Sequence, residues 1–364
     1  MENGKLKIGI TQGDINGISY EVILKTLAEP RVYEPHAVVI YGSSKVASYH
    51  KKNLDLTLNT AIVSSAMDAQ YGAVSIVNCT DEEVKVDLGE STPAAGKSSW
   101  QALDRAVREM KEGLIDVLVT APINKHNIQS SEFHFPGHTE YLEQEFGSGH
   151  HALMLMACET MRVAVVTGHI PLEEVPSALN QSLILEKIKI LDKSLRYDFA
   201  LDKPRIAVLS LNPHAGDQGL IGRQEQEVIV PAVEEAQKQN ICCFGPIAAD
   251  GFFGSDNYSL YDGILAMYHD QGLIPFKVMS QGHGVNFTAG LPIVRTSPAH
   301  GTAYELAGQN RADESSFREA LYMACDIFFN RQRYEQMHRN PLRKQHIEQG
   351  GDLADLPPVR EDEL

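Results

Sequence analysis

Short runs rich in Val, Ile and Leu punctuate this chain, separated by longer segments whose apolar residues recur every three or four positions. Leu6–Thr11, Ala37–Tyr41, Leu114–Thr120, Arg162–Thr167, Arg205–Leu211 and Gly263–Tyr268 read as buried strands. Tyr20–Ala28, Ser98–Lys111, Ser182–Leu195 and Glu225–Lys238 read as amphipathic helices, the last kinked at Pro231, which has no N–H to continue the ladder. Such alternation predicts an α/β fold with mostly parallel strands joined by crossovers. From about Arg331 the apolar pattern thins, and Gly350, Gly351, Pro357 and Pro358 predict a surface tail.

Length adds a second feature. At 364 residues the chain exceeds the size at which one core usually stops growing, so two lobes with a cleft between them are expected. No Ser/Gly linker or internal repeat separates them, so the second lobe is expected as an insertion into the first.

The formal charge of -16, without dense basic patches, argues against a nucleic-acid partner while leaving room for a small anion held by a few convergent cations. Cys79, Cys158, Cys242, Cys243 and Cys325 are odd in number and lack C-x-x-C spacing, so they read as reduced, buried thiols. Met1–Lys5 leads into a strand without a signal-peptide core, and no apolar run approaches membrane-spanning length. The terminal Glu-Asp-Glu-Leu means little without an entry signal, so a cytoplasmic protein without a membrane partner is expected.

In open α/β sheets ligands bind beyond the carboxyl ends of the strands, and three histidines fall there. His169 stands in Thr-Gly-His-Ile-Pro, His214 in Asn-Pro-His-Ala-Gly and His269 in Tyr-His-Asp-Gln-Gly, each read as a strand-end loop residue. Three neutral imidazoles around an open position suit a catalytic divalent ion. Any one of the 14 histidines, taken alone, reads better as an ordinary loop residue.

Lys277, Asn286 and Arg295 form a second candidate group, since Arg grips phosphate through two parallel hydrogen bonds; without other support they read as solvated groups at loop ends. Phe135–Glu140 looks like a turn entering a helix, where His138, Thr139 and free N–H groups hold an anion, or where Thr139 merely caps the helix. The turn Gly13–Gly17 permits close backbone approach to a ligand. Gly96-Lys97-Ser98 lacks the earlier glycine and the preceding strand of a P-loop, which excludes an ATPase.

Taken in order, these motifs, with Gly-Val-Asn and Arg-Thr-Ser, resemble the 4-hydroxythreonine-4-phosphate dehydrogenase (PdxA) family from about Lys7 to Asn330. The resemblance implies a two-lobed α/β/α fold of the isocitrate/isopropylmalate dehydrogenase type, with residues 1–127 and 285–364 forming one lobe and 128–284 an inserted lobe carrying the metal histidines and dimer interface. It implies that His169, His214 and His269 bind a divalent metal (Zn, Mg or Co) shared across a homodimer. His138, Thr139, Lys277, Asn286 and Arg295 would contact a small phosphorylated hydroxy-amino acid. His300, Gly301 and Thr302 are similar to an adenosine-binding loop for NAD or NADP, to which Asp250 would add a contact.

Two stretches depart from the family pattern. Thr11-Gln12-Gly13-Asp14-Ile15-Asn16-Gly17 lacks two prolines, which predicts a looser turn, and Gly251 replaces a threonine, which leaves NAD against NADP open.

The implied reaction oxidises the substrate hydroxyl by hydride transfer with metal assistance, giving a β-keto acid that decarboxylates to 3-amino-2-oxopropyl phosphate in pyridoxal phosphate biosynthesis. Asp250 and Lys125 are candidates for the proton acceptor. Rival readings are a 4-phosphoerythronate or 4-phosphothreonate dehydrogenase, a metal-dependent phosphate-ester hydrolase, and a non-catalytic metal or phosphate binder.

Overall fold

The computed structural model describes residues 4–80 and 83–340. Among these, twelve strands form one sheet: β1 (Lys7–Thr11), β2 (Ala37–Gly42), β3 (Thr60–Val63), β4 (Ala73–Asn78), β5 (Val117–Thr120), β6 (Leu153–Ala157), β7 (Arg162–Thr167), β8 (Ile206–Leu209), β9 (Cys243–Ile247), β10 (Gly263–Tyr268), β11 (Val285–Ala289) and β12 (Arg295–Pro298). Their order is β3-β4-β2-β1-β5-β12-β11-β6-β7-β10-β8-β9. The helices are α1 (Ser19–Leu27), α2 (Ser44–Asn53), α3 (Pro93–Lys111), α4 (His138–Phe146), α5 (Val175–Ala178), α6 (Gln181–Tyr197), α7 (Val230–Lys238), α8 (Ala249–Phe253), α9 (His269–Ser280) and α10 (Ser315–His338).

Parallel pairing dominates, as the alternation predicted, with antiparallel pairs confined to the middle: β6 with β7, β6 with β11, and β11 with β12. Short connections cause the reversals within β6–β7 and β11–β12, because too few residues intervene for a parallel crossover. Strands β6 to β10 occupy one side of the sheet, and β1 to β5 with β11 and β12 occupy the other.

Helix edges follow from local chemistry. Thr92 caps α3 by accepting from the Ala95 N–H, with Pro93 in the first turn where no N–H is needed. Asn180 caps α6, whose buried Ile184, Ile188, Leu191 and Leu195 form one stripe against the sheet. Glu225–Ile229 makes a π-turn and α7 follows it directly, with Pro231, which has no N–H to donate, in its first turn.

The end of α10 corrects the tail reading. The helix runs through Arg331 to His338, and Arg331 is buried, its Nε donating to Asp198 Oδ1 at 2.6 Å and its Nη1 to the carbonyls of Pro292 and Ile293. The polar side chains that thinned the apolar pattern therefore include one half of a buried ion pair. Gly350, Gly351, Pro357, Pro358 and the terminal acidic run lie outside the described residues, as do Met1–Asn3.

The cysteines also differ from expectation in part: Cys243 and Cys325 are buried, Cys79 and Cys158 half-buried, and Cys242 exposed; all five are free thiols. No helix among the described residues is long and apolar enough to cross a membrane.

Candidate active site

A cleft of about 270 Å³ opens where the parallel strands end and β11 begins. Segments following β5, β7, β10 and β12 converge there, so Lys125, His169, His269, His300 and Gly301 share one space with His138, Thr139, Lys277, Asn286 and Arg295.

Arg295 dominates its electrostatics. Only 2% of it is exposed, and its guanidinium donates to hydroxyls alone: Nε to Thr120 Oγ1 at 3.0 Å and Nη1 to Thr288 Oγ1 at 3.1 Å. Among the described residues no carboxylate lies in ion-pair contact with it, and desolvation pushes its pKa down to about 9, opposed by the field of Glu140. A buried cation without a paired anion is costly, so the cleft favours an anionic ligand. This excludes the solvated-surface reading for Arg295, whereas Lys277 is exposed at the rim.

The α4 N-terminus lies on the same cleft. Gly137, in extended backbone, is the residue before the helix, so Thr139 lies inside the first turn and is not the cap. First-turn N–H groups and the positive end of the helix dipole face outward at this terminus. His138 beside them is buried, and desolvation first, then Arg295 and Lys125, lower its pKa well below the usual histidine value. Its buried Nε2 lacks a hydrogen-bond partner, as do the buried Asn286 Oδ1 and His300 Nε2. Three buried polar atoms without a protein partner along one cleft favour a polar ligand there.

The histidines are only partly assembled. His169 and His269 have ring centroids 5.7 Å apart, and Lys125 Nζ lies 3.5 Å from His169 Nε2. His269 is the first residue of α9 rather than a loop residue, and its Nδ1 pairs with Asp270 Oδ1 at 2.7 Å, so Nε2 is the ring nitrogen this contact does not occupy. His214 is exposed and outside the cleft wall, and among the described residues no three metal-binding groups of one chain cluster. Two imidazoles at one cleft are of the donor type a divalent ion takes, one short of the three that a catalytic site uses.

Asp250 is exposed on α8, outside the cleft, so of the two proton-acceptor candidates only Lys125 lines it. Glu140 and Ser297 also line the cleft. Both sat in the quoted motifs without a role, and only the fold reveals that they face the site.

The Gly13–Gly17 turn is tight, contrary to the expectation from its missing prolines. Gln12 Oε1 accepts from Tyr20 Oη at 2.8 Å and from the Ser43 N–H, while its Nε2 donates to Ser98 Oγ. Asn16 Nδ2 donates to the Glu90 carbonyl at 2.9 Å, and Asp14 Oδ2 accepts from Tyr304 Oη at 2.7 Å. A Cβ on Gly17 would come 2.4 Å from the Thr302 carbonyl oxygen, so the turn braces the His300–Thr302 loop and does not itself face the cleft.

Comparison with known proteins gives the family. The family model described as pyridoxal phosphate biosynthetic protein PdxA matches residues 34–324. A 4-hydroxythreonine-4-phosphate dehydrogenase of Bacteroides thetaiotaomicron is 57% identical over 98% of both chains. One from a Sulfurihydrogenibium species is 40% identical over 88% of this chain and 97% of its own. The crystal structure of 4-hydroxythreonine-4-phosphate dehydrogenase from Klebsiella pneumoniae superposes with a TM-score of 0.77 at 31% identity, covering 90% of this chain and 99% of that one. With a family model matching most of its length and near-complete coverage in both directions by a 57% identical relative, the chain belongs to the PdxA family.

Proposed function

We propose that this chain is a 4-hydroxythreonine-4-phosphate dehydrogenase, oxidising 4-(phosphooxy)-L-threonine to a 2-amino-3-oxo acid that loses carbon dioxide to give 3-amino-2-oxopropyl phosphate. The observation that carries the reading is the buried, anion-free Arg295 beside the α4 N-terminus, which fits the substrate phosphate. Arg295 and the α4 N–H groups grip the phosphate, Lys277 adds charge at the rim, and His138, Thr139 and Asn286 orient the ligand. His300, Gly301 and Thr302 form the cofactor loop, with Asp250 placed only by resemblance.

His169 and His269, with His214 from a second copy, would hold a divalent ion. When bound, that ion supplies Lewis acidity toward the oxygen being oxidised, and NAD or NADP takes up the hydride. Lys125 Nζ, in the cleft beside His169, accepts the hydroxyl proton.

A homodimer accounts for the outlying His214. Exposed apolar side chains surround the histidine segments: Leu172 follows His169, Leu220 at 82% exposure and Ile221 follow His214, and Ile274 and Val278 stand on α9. We read residues 1–127 with 285–364, as far as they fall among the described residues, as one lobe and 128–284 as the lobe presenting this face.

The test is cofactor reduction by purified protein with 4-hydroxythreonine-4-phosphate and either NAD or NADP, before and after chelation. Metal-restorable turnover supports the reading. Phosphate release without cofactor, or turnover only with 4-phosphoerythronate or 4-phosphothreonate, overturns it.

A further inference from the structure

The segment carrying His214 has an uncommon backbone. His214, Ala215, Gly216, Asp217 and Gln218 all have φ between +43° and +79°, a full left-handed turn in which four residues carry a Cβ. L-residues disfavour this conformation, so neighbouring structure must enforce it.

One carboxylate lies at the centre of that enforcement. Glu225 is 2% exposed and forms no ion pair among the described residues. Its Oε1 accepts from the Leu211 and Asn212 N–H groups at 2.9 and 2.7 Å, and its Oε2 accepts from Asn212 Nδ2 at 2.9 Å. A Cβ on Gly216 would come 2.6 Å from the same Oε2, so the turn closes directly over the carboxylate. Glu225 is also the first residue of the π-turn Glu225–Ile229, which packs against the left-handed turn. The arrangement ties the end of β8 to the left-handed turn and leaves His214 exposed.

We infer that Glu225 is the positioning residue for His214, holding the left-handed turn so that the imidazole is presented ready-made to the metal site of a second copy. This inference rests on the metal reading above. Glu225 ligates nothing itself; it removes the ordering that His214 would otherwise undergo on binding.

The experiment compares zinc affinity, by competition with a chromophoric chelator, and the visible absorption of the cobalt-loaded protein for wild type, His214→Ala, Glu225→Ala, Glu225→Gln and Asn212→Ala. NAD binding and thermal midpoint are read on the same samples. Expected is a loss of zinc affinity in Glu225→Ala of about 10–100-fold, the range for groups that orient ligands, with an altered cobalt spectrum and unchanged NAD affinity. Glu225→Gln, which keeps the oxygen facing the two N–H groups, recovers most of the affinity, and Asn212→Ala shows the same defect in milder form if Glu225→Ala does not fold. Wild-type zinc affinity in Glu225→Ala or Asn212→Ala, with loss in His214→Ala, overturns the inference alone. Wild-type affinity in His214→Ala overturns the metal reading beneath it.

Discussion

Arg295 shows how a single residue records what the cleft is for. Its hydroxyl partners satisfy geometry but not charge, so the protein bears a desolvated cation that a bound phosphate would neutralise. Arg295→Met is expected to lower kcat/KM on the order of 100-fold or more while leaving the thermal midpoint of the ligand-free protein no lower than wild type. A marked loss of stability in that variant would contradict this account. Burial also lowers the pKa of His36, His50, His138 and His300 from the ordinary 6.5. Below that value the unfolded chain binds more protons than the folded one, so stability is fully present above about pH 6.5 and falls as the pH drops toward the depressed folded values. Denaturant titrations between pH 7.5 and about 5 check this, and His36→Asn should flatten the slope.

At the scale of elements, the strands from continuous apolar runs were legible, because a strand buried on both faces needs nothing else to declare itself. The helix α10 was not, since Arg331 and its neighbours read as surface polarity until Asp198, at the end of α6, is brought against them. Asp198→Ala should cost about 3–5 kcal/mol, the effect of leaving one half of a buried pair uncompensated, measured by urea unfolding. A cost below about 1 kcal/mol, typical of a surface pair, would return this contact to the surface class. The turn after β1 was misjudged for a related reason: proline is one way to stiffen a turn, and the buried amides of Gln12 and Asn16 are another that local sequence does not disclose.

For the whole molecule, the outlying His214 and the exposed Leu220, Ile274 and Val278 lead to a prediction about assembly. His214→Ala and His269→Ala should each be inactive alone, while mixing them after dissociation should restore about a quarter of wild-type turnover, because half the dimers are mixed and each rebuilds one complete site. No recovery, with mixed dimers demonstrated, would place all the ligands in one subunit. The sequence by itself determined the α/β class, the family and the residue types of the site, because hydrophobic period and motif order are local properties of the chain. Tertiary structure decided which of those residues meet: it gathered Arg295, His138, Asn286, Lys125, His169 and His269 at one cleft and left Asp250 and His214 outside it. Distance in space depends on how the strands are ordered across the sheet, and no local pattern encodes that order.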